Sequence, residues 1–383
     1  MGAVTDESSG PPGSRVVVAG KPVSEVDRAD CFLFRRFPRL GRSTRRLNFT
    51  GGPSPVRRLA SLSGTLATDV WIKDDGGHGS LYGGNKARKL EFVLAHALAQ
   101  RARTVLTTGG IGSNHVLATA IYGRSLGLNV ALALGYESPD RQAVDNLLAT
   151  ASAGATIHFT RSYPVTALVA PYLVSRYWAR DRRKPYVIGP GASSPRAALG
   201  YVNAALELAE QVRRGELPEP ASIVIPLGTG GTAAGLLAGL RLAGLDSRVF
   251  AVAVGRAPTT WRLAVKRLAR ATAQLIARRS GESAVGKLRL DGLEVVRDWI
   301  GPGLGQASDE GVRAAELLAD VEGCVLDPIY TAKAMAALLG LADSGCLPGP
   351  VLFWQTANTL DLPAPDADAA ARLPAALRRV CSL

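Results

Sequence analysis

The sequence predicts an α/β protein in which strands of a parallel sheet alternate with helices, on three grounds. Short apolar runs recur between segments with helical spacing, the sign of repeated β–α–β units. Glycine-rich turns stand where strands pass into helices, at residues 109–115, 189–195 and 228–232. The 383 residues exceed one typical core, so two domains or one large α/β unit are expected.

Residues 1–30 hold Ser, Gly and Pro without periodicity and read as a mobile extension. Order is expected from Cys31 onward. Residues 68–73 (Thr-Asp-Val-Trp-Ile-Lys) form a strand, and 74–84 a loop that ends in paired glycines ahead of Asn85-Lys86. A helix over 86–100 follows, with Leu90, Val93, Leu94 and Ala97 on its apolar side. Strands are expected at 104–107, 129–134, 156–159 and 186–188, and helices at 114–126, 141–152, 165–180 and 197–214.

The run 222–227 is a buried type of strand that leads straight into 228–232 and a small-residue helix, 233–242. Beyond the strand 249–254, Leu263, Val265, Leu268 and Leu275 fit one side of a basic amphipathic helix. Helices at 310–318 and 332–341 precede a last strand, 351–354, which ends in Gln355-Thr356-Ala357-Asn358.

Composition narrows the function. No apolar run approaches the roughly 20 residues that span a bilayer, and the polar, acidic start lacks a signal-peptide core, so a cytoplasmic protein is expected. Cys31, Cys324, Cys346 and Cys381 are scattered and read as reduced; the four histidines are equally dispersed, so no metal site is expected. The net charge of +13 raises the question of nucleic acid, but the basic run 256–289 carries no aromatic partner beyond Trp261 and no recognition motif. No nucleic-acid partner is expected.

Two stretches carry chemistry. Lys86, at the mouth of a helix just after two glycines, sits where side chain and backbone both reach a ligand. The plain alternative is a surface lysine with Arg88 and Lys89 as solvated neighbours. The second stretch, Gly228-Thr229-Gly230-Gly231-Thr232, brings two hydroxyls and several N–H groups to a helix start, which suits a phosphate dianion. Gly228, Gly230 and Ala233 also satisfy the dinucleotide fingerprint G-x-G-x-x-A. The next strand ends without an acid, and Arg256 would have to meet a 2′-phosphate, so an NADP-dependent dehydrogenase stays open as a remote reading. In 109–115, Ser113 and Asn114 either cap the next helix or bind a ligand carboxylate.

In the order G-G-N-K-A-R-K-L-E-F, T-T-G-G-I-G-S-N-H, A-L-G-Y-V-N-A-A-L-E-L-A-E-Q, P-L-G-T-G-G-T-A-A-G-L and L-D-P-I-Y-T-A-K-A-M, these segments resemble the pyridoxal-phosphate enzymes of fold type II. The resemblance is strongest to the branch with 1-aminocyclopropane-1-carboxylate deaminase and D-cysteine desulfhydrase. It runs from Phe37 to the last strand. It implies two open twisted, mainly parallel sheets with flanking helices, as in tryptophan synthase β, the smaller domain (89–194) inserted in the larger (31–88 and 195–383).

It further implies pyridoxal 5′-phosphate in Schiff-base linkage to Lys86. Lys89, Gly228, Thr229, Gly230, Gly231 and Thr232 would hold the phosphate, Asn114 the phenolic oxygen and Thr356 the ring nitrogen. Ser113, Asn114, His115, Leu304 and Tyr330 would meet a small amino-acid substrate, with Lys86, Ser113 and Tyr330 as the catalytic groups. A homodimer is implied as well.

The implied reaction removes the α-proton and a β leaving group, giving a 2-oxo acid and ammonia. The family's G-Y-G segment reads Gly303-Leu304-Gly305, its H-T-G-G reads Gln355-Thr356-Ala357-Asn358, and Gly112 replaces the glutamine of Q-S-N. The expected substrate therefore differs from the family's named ones. The alternatives are a β-replacement enzyme and a ligand-binding homologue that has lost catalysis.

Overall fold

The computed structural model describes residues 30–136, 139–255 and 259–383. The expected N-terminal extension, apart from Asp30, and Arg256 lie outside the described residues. Ten strands occur in the described residues: β1 (Val56–Arg58), β2 (Val70–Asp74), β3 (Thr104–Gly110), β4 (Asn129–Gly135), β5 (Thr156–Phe159), β6 (Tyr186–Ile188), β7 (Ser222–Leu227), β8 (Arg248–Ala253), β9 (Leu293–Val296) and β10 (Val351–Gln355).

They make two open sheets. One has six strands in the order β1-β2-β10-β7-β8-β9, the other four in the order β5-β4-β3-β6. Every pairing is parallel except β1 with β2. Parallel neighbours need long crossovers, and the helices that supply them cover both faces of a sheet. Hence β7 is buried at every position, and its apolar run is continuous rather than alternating.

On one face of the larger sheet, helices Pro195–Arg213, Gly231–Ala243 and Trp261–Ser280 bury Leu199, Tyr201, Leu237 and Ala273. On the other, Thr331–Asp343 and Asp309–Glu322 bury Met335, Leu338 and Leu318. The four-stranded sheet is covered by helices Asn85–Ala99, Asn114–Ser125, Arg141–Ser152 and Tyr163–Asp181.

Three expectations need correction. A boundary between 88 and 89 cuts through the continuous helix Asn85–Ala99, which serves both bodies. Its Phe92 packs in the core of the larger sheet, while Leu90, Val93 and Leu94 pack against Val105 of β3. The end of the chain does not stay with the larger body either: Ala369, Leu373, Leu377 and Cys381 bury against Val130, Leu132 and Leu134 of β4. In helix Trp261–Ser280 the buried side is Val265, Ala269, Thr272, Ala273 and Ile276, and Leu263 is 49% exposed. Leu263 stands two residues before Val265, a rotation that carries it off that face.

The short strands β1 and β9 escaped the sequence reading, being flanked by arginines and lacking a sustained alternation. In open parallel sheets ligands bind beyond the carboxyl ends of the strands. The loops that follow β3, β7 and β10 meet there.

Candidate active site

Lys86 enters the site because two glycines let the chain turn sharply under it. At Gly84 φ is +73°, and a Cβ would lie 2.5 Å from the carbonyl oxygen of Thr356, so only glycine fits without strain. The far end of the chain clamps this turn. Asn358 Oδ1 accepts from Gly83 N at 2.6 Å, and Thr356 O accepts from Asn85 N at 2.9 Å. The Q-T-A-N segment and the G-G-N-K segment thus form one structure.

A cavity of about 330 Å³ opens above it. Lys86, Lys89, Ser113, Asn114, His115, Leu304, Tyr330 and the loop Gly228–Thr232 all line it. Thr356 lines a smaller adjoining cavity with Lys86, Asn114, Asp327 and Tyr330. All of the proposed site residues therefore converge within two contiguous spaces.

The first turn of helix Gly231–Ala243 lines this cavity with Gly231, Thr232 and Ala233, so the helix N-terminus faces it. Ser193 closes the far side of the seat. Its hydroxyl accepts from Gly231 N at 3.1 Å and lies 2.7 Å from Thr229 Oγ1. Asn85 joins the seat to the amine: its Nδ2 donates to Thr232 Oγ1 at 3.2 Å, and its Oδ1 accepts from Lys86 Nζ at 2.7 Å. The ring of Tyr330 stands over Gly228, where a Cβ would come within 3.4 Å of it.

The electrostatics are one-sided. Burial pushes the Lys86 amine down to about 8, opposed by the charge of Asp327. Lys89 is driven well below its usual value by burial, then by the charge of Lys86. Among the described residues neither lysine is paired with a carboxylate: Lys86 donates to an amide and Lys89 to Gly191 O at 3.0 Å. Asp327 is engaged locally, accepting from the N–H groups of Ile329, Tyr330 and Thr331 and from the Thr331 hydroxyl. Two amines, Lys86 half-buried and Lys89 buried, that face a helix N-terminus without an anion leave room for a dianionic ligand.

The plain alternative for this stretch fails, because Arg88 and Lys89 are buried rather than solvated. His115 lines the cavity with its ring held elsewhere. Its Nε2 is 2.9 Å from Thr107 Oγ1 and its Nδ1 3.5 Å from Thr119 Oγ1, so the ring is tied to β3 and its own helix. Burial, with Lys86 and Lys89, holds it well below the usual histidine range, and it is neutral. What it offers the cavity is the backbone N–H of a helix start.

Ser113 is placed both as a cap of helix Asn114–Ser125, accepting from Val116 N, and as part of the cavity wall. The sequence reading passed over Asn85, Ser193, Tyr82 and Asn146. Asn85 stands inside a quoted motif and Ser193 inside the glycine-rich turn 189–195, so both could have been found; Tyr82 and Asn146 become neighbours of Asn114 only in the fold.

An amine awaiting a carbonyl, beside a seat awaiting a dianion, on a pair of open parallel sheets, defines a pyridoxal-phosphate enzyme of fold type II. That cofactor carries an aldehyde for Lys86 and a phosphate for Lys89 and the loop Gly228–Thr232, so the residues present fit it. Comparison with known proteins agrees. Residues 47–356 match the family model described as pyridoxal-phosphate dependent enzyme.

The chain is 37% identical to a D-cysteine desulfhydrase of Salmonella typhimurium over 332 residues, 84% of this chain and 94% of that one. A solved structure titled as an ACC deaminase homologue superposes with a TM-score of 0.73 at 30% identity, covering 85% of this chain and 94% of the other. A threonine deaminase of T.th., with a TM-score of 0.58 at 22% identity over 87% of this chain and 98% of that one, shares the fold. The chain belongs to the fold type II pyridoxal-phosphate-dependent enzymes, in the branch of 1-aminocyclopropane-1-carboxylate deaminase and D-cysteine desulfhydrase.

Proposed function

We propose that this enzyme is a lyase or deaminase that eliminates a β substituent from a small amino acid, releasing a 2-oxo acid and ammonia. The observation that supports it most is the Lys86 amine, depressed to about 8 and set in one cavity with Ser113 and Tyr330. At neutral pH about a tenth of such an amine is free base, against well under a thousandth for an ordinary lysine. It is poised to take a proton from carbon.

Pyridoxal phosphate, when bound, supplies an aldehyde for the substrate amine and a ring that withdraws charge from the carbon beside it. The chain does the rest. Lys89 and the residues Gly228, Thr229, Gly230, Gly231 and Thr232 hold the phosphate, and Asn114 donates to the phenolic oxygen. Thr356 would meet the ring nitrogen as a neutral partner, leaving the ring a weaker electron sink than a carboxylate that keeps that nitrogen protonated, which suits prompt elimination. Ser113 and the N–H groups of Asn114 and His115 receive the substrate carboxylate. Lys86 moves the α-proton, and Tyr330 faces the leaving group.

Leu304 stands at the cavity wall where the family's G-Y-G pattern has a tyrosine, and it packs on Gly255, where a Cβ would approach Leu304 Cβ to 2.8 Å. A wall without that hydroxyl favours a substrate more apolar than D-cysteine or the cyclopropane amino acid. A homodimer and a cytoplasmic location belong to the same reading. Among the described residues no helix is long and apolar enough to cross a membrane.

The test is spectroscopic, then chemical. Protein incubated with pyridoxal phosphate should gain an absorbance band at the edge of the visible that Lys86→Ala abolishes. A panel of D- and L-amino acids should then yield 2-oxo acid and ammonia from at least one apolar β-substituted member. A colourless protein, or a coloured one that releases no 2-oxo acid from any member, overturns the proposal.

A further inference from the structure

Asn114 is turned by a residue that the chemistry above does not use. The carbonyl oxygen of Gly112 accepts hydrogen bonds and never donates. Asn146, on helix Arg141–Ser152, places its Nδ2 3.0 Å from that oxygen. The same Nδ2 lies 3.1 Å from Asn114 Oδ1. Reversing Asn146 would set its oxygen against the Gly112 oxygen, and reversing Asn114 would set one NH2 group against another. Gly112 therefore fixes Asn146, and Asn146 fixes Asn114.

Tyr82 completes the arrangement. Its hydroxyl lies 3.1 Å from Asn114 Oδ1, an acceptor, so it is the donor. With Oδ1 held by two donors, the end of the Asn114 amide left for the cavity is its NH2 group. The glycine at 112 makes this possible. A Cβ there would stand 2.5 Å from Ala143 Cβ, so any side chain would push helix Arg141–Ser152, and Asn146 with it, off the loop. The departure of Gly112 from the family's Q-S-N and the approach of Asn146 are one feature.

We propose that Asn146, assisted by Tyr82, is a positioning residue that holds Asn114 as a hydrogen-bond donor towards the phenolic oxygen of bound pyridoxal phosphate. It rests on the reading of Asn114 given above. A donor at that oxygen stabilises its ionised form, so the bound cofactor gives up its proton at lower pH than it would facing an acceptor or nothing.

The test uses the full chain loaded with pyridoxal phosphate. In Asn146→Leu the pH midpoint of the cofactor's visible band should move upward, and cofactor affinity should fall by about tenfold, the size of one hydrogen bond. Asn114→Ala should move both at least as far. Adding Asn146→Leu to Asn114→Ala should change nothing more, because a positioning residue has nothing left to position.

An unmoved midpoint with wild-type affinity in Asn146→Leu, or effects that add in the double variant, would overturn the proposal. Should Asn146→Leu not fold, Tyr82→Phe removes the second donor with the ring kept, and the same two readings decide. Failure here is separable from failure of the functional reading: a wild-type protein without any band sinks that reading, whereas a normal band indifferent to both variants sinks only this one.

Discussion

Lys86, Arg88 and Lys89 share one turn of one helix, Lys86 half-buried and the other two buried, yet they face opposite electrostatic worlds. Arg88 turns away from the cavity into a network. It lies 2.8 Å from Asp75 and 2.8 Å from Glu207, and Lys73 lies 2.6 Å from the same glutamate. Tyr201 and Trp354 donate to Asp75, and Gln211 accepts from Lys73. Burial opposes the charge on Glu207, but Arg88 and Lys73 outweigh it and hold the carboxyl well below the carboxylate range. Lys86 and Lys89 receive nothing comparable. A buried cation that the protein pairs is scaffold; a buried cation that it leaves unpaired is reserved for something that arrives.

The sharpest way to break this contrast is to remove one member from each side. Lys86→Ala should lower kcat/KM for elimination by about 10³-fold or more, while the melting temperature stays level or rises, because a desolvated amine has gone. Glu207→Gln should do the reverse. It removes the ion-pair partner of the buried Lys73, leaves Arg88 with Asp75 alone, and should cost about 3–5 kcal/mol in urea unfolding, with the cavity residues untouched. If Lys86→Ala unfolded the protein and Glu207→Gln did not, the assignment of the two regions would be inverted.

Smaller effects sharpen it. Lys89→Met should weaken cofactor binding by about 10- to 100-fold, read by titration of the visible band, through loss of a charged hydrogen bond to phosphate. The pH dependence follows from Lys86. Its amine titrates near 8 in the cofactor-free chain and is free again once the substrate amine has taken its place, so kcat should rise with pH and level off above about 8. Its value in the unfolded chain is higher, about 10.4, so its cost to the fold is complete below 8 and fades as pH rises through that interval. Cofactor-free protein should therefore gain stability from pH 8 towards 10 relative to Lys86→Met, in which that gain is absent.

Much of the site was legible because its motifs are local. A glycine pair before a lysine, or a strand that runs into Gly228–Thr232, describes its own backbone wherever it occurs. Leu304 was legible as a departure from a family pattern. How the His115 ring is held was not legible, because its partners, Thr107 and Thr119, sit on a strand and one helical turn away, and nothing in the histidine itself announces them. The docking of the C-terminal helix on β4 was equally silent, since an apolar face does not name its partner.

The sequence by itself determined the alternation of strands and helices, the turn that presents Lys86 and the glycine loop that opens helix Gly231–Ala243 at the cavity, all set by residues within a few positions of one another. Only the tertiary structure decided which of three neighbouring cations would be neutralised. The carboxylate of Glu207 that meets Arg88 comes from another helix, and the Thr356 and Asn358 that clamp the glycine turn come from the last strand's end. Pairing of buried charge depends on distance in space, which composition and spacing do not encode until the chain has folded.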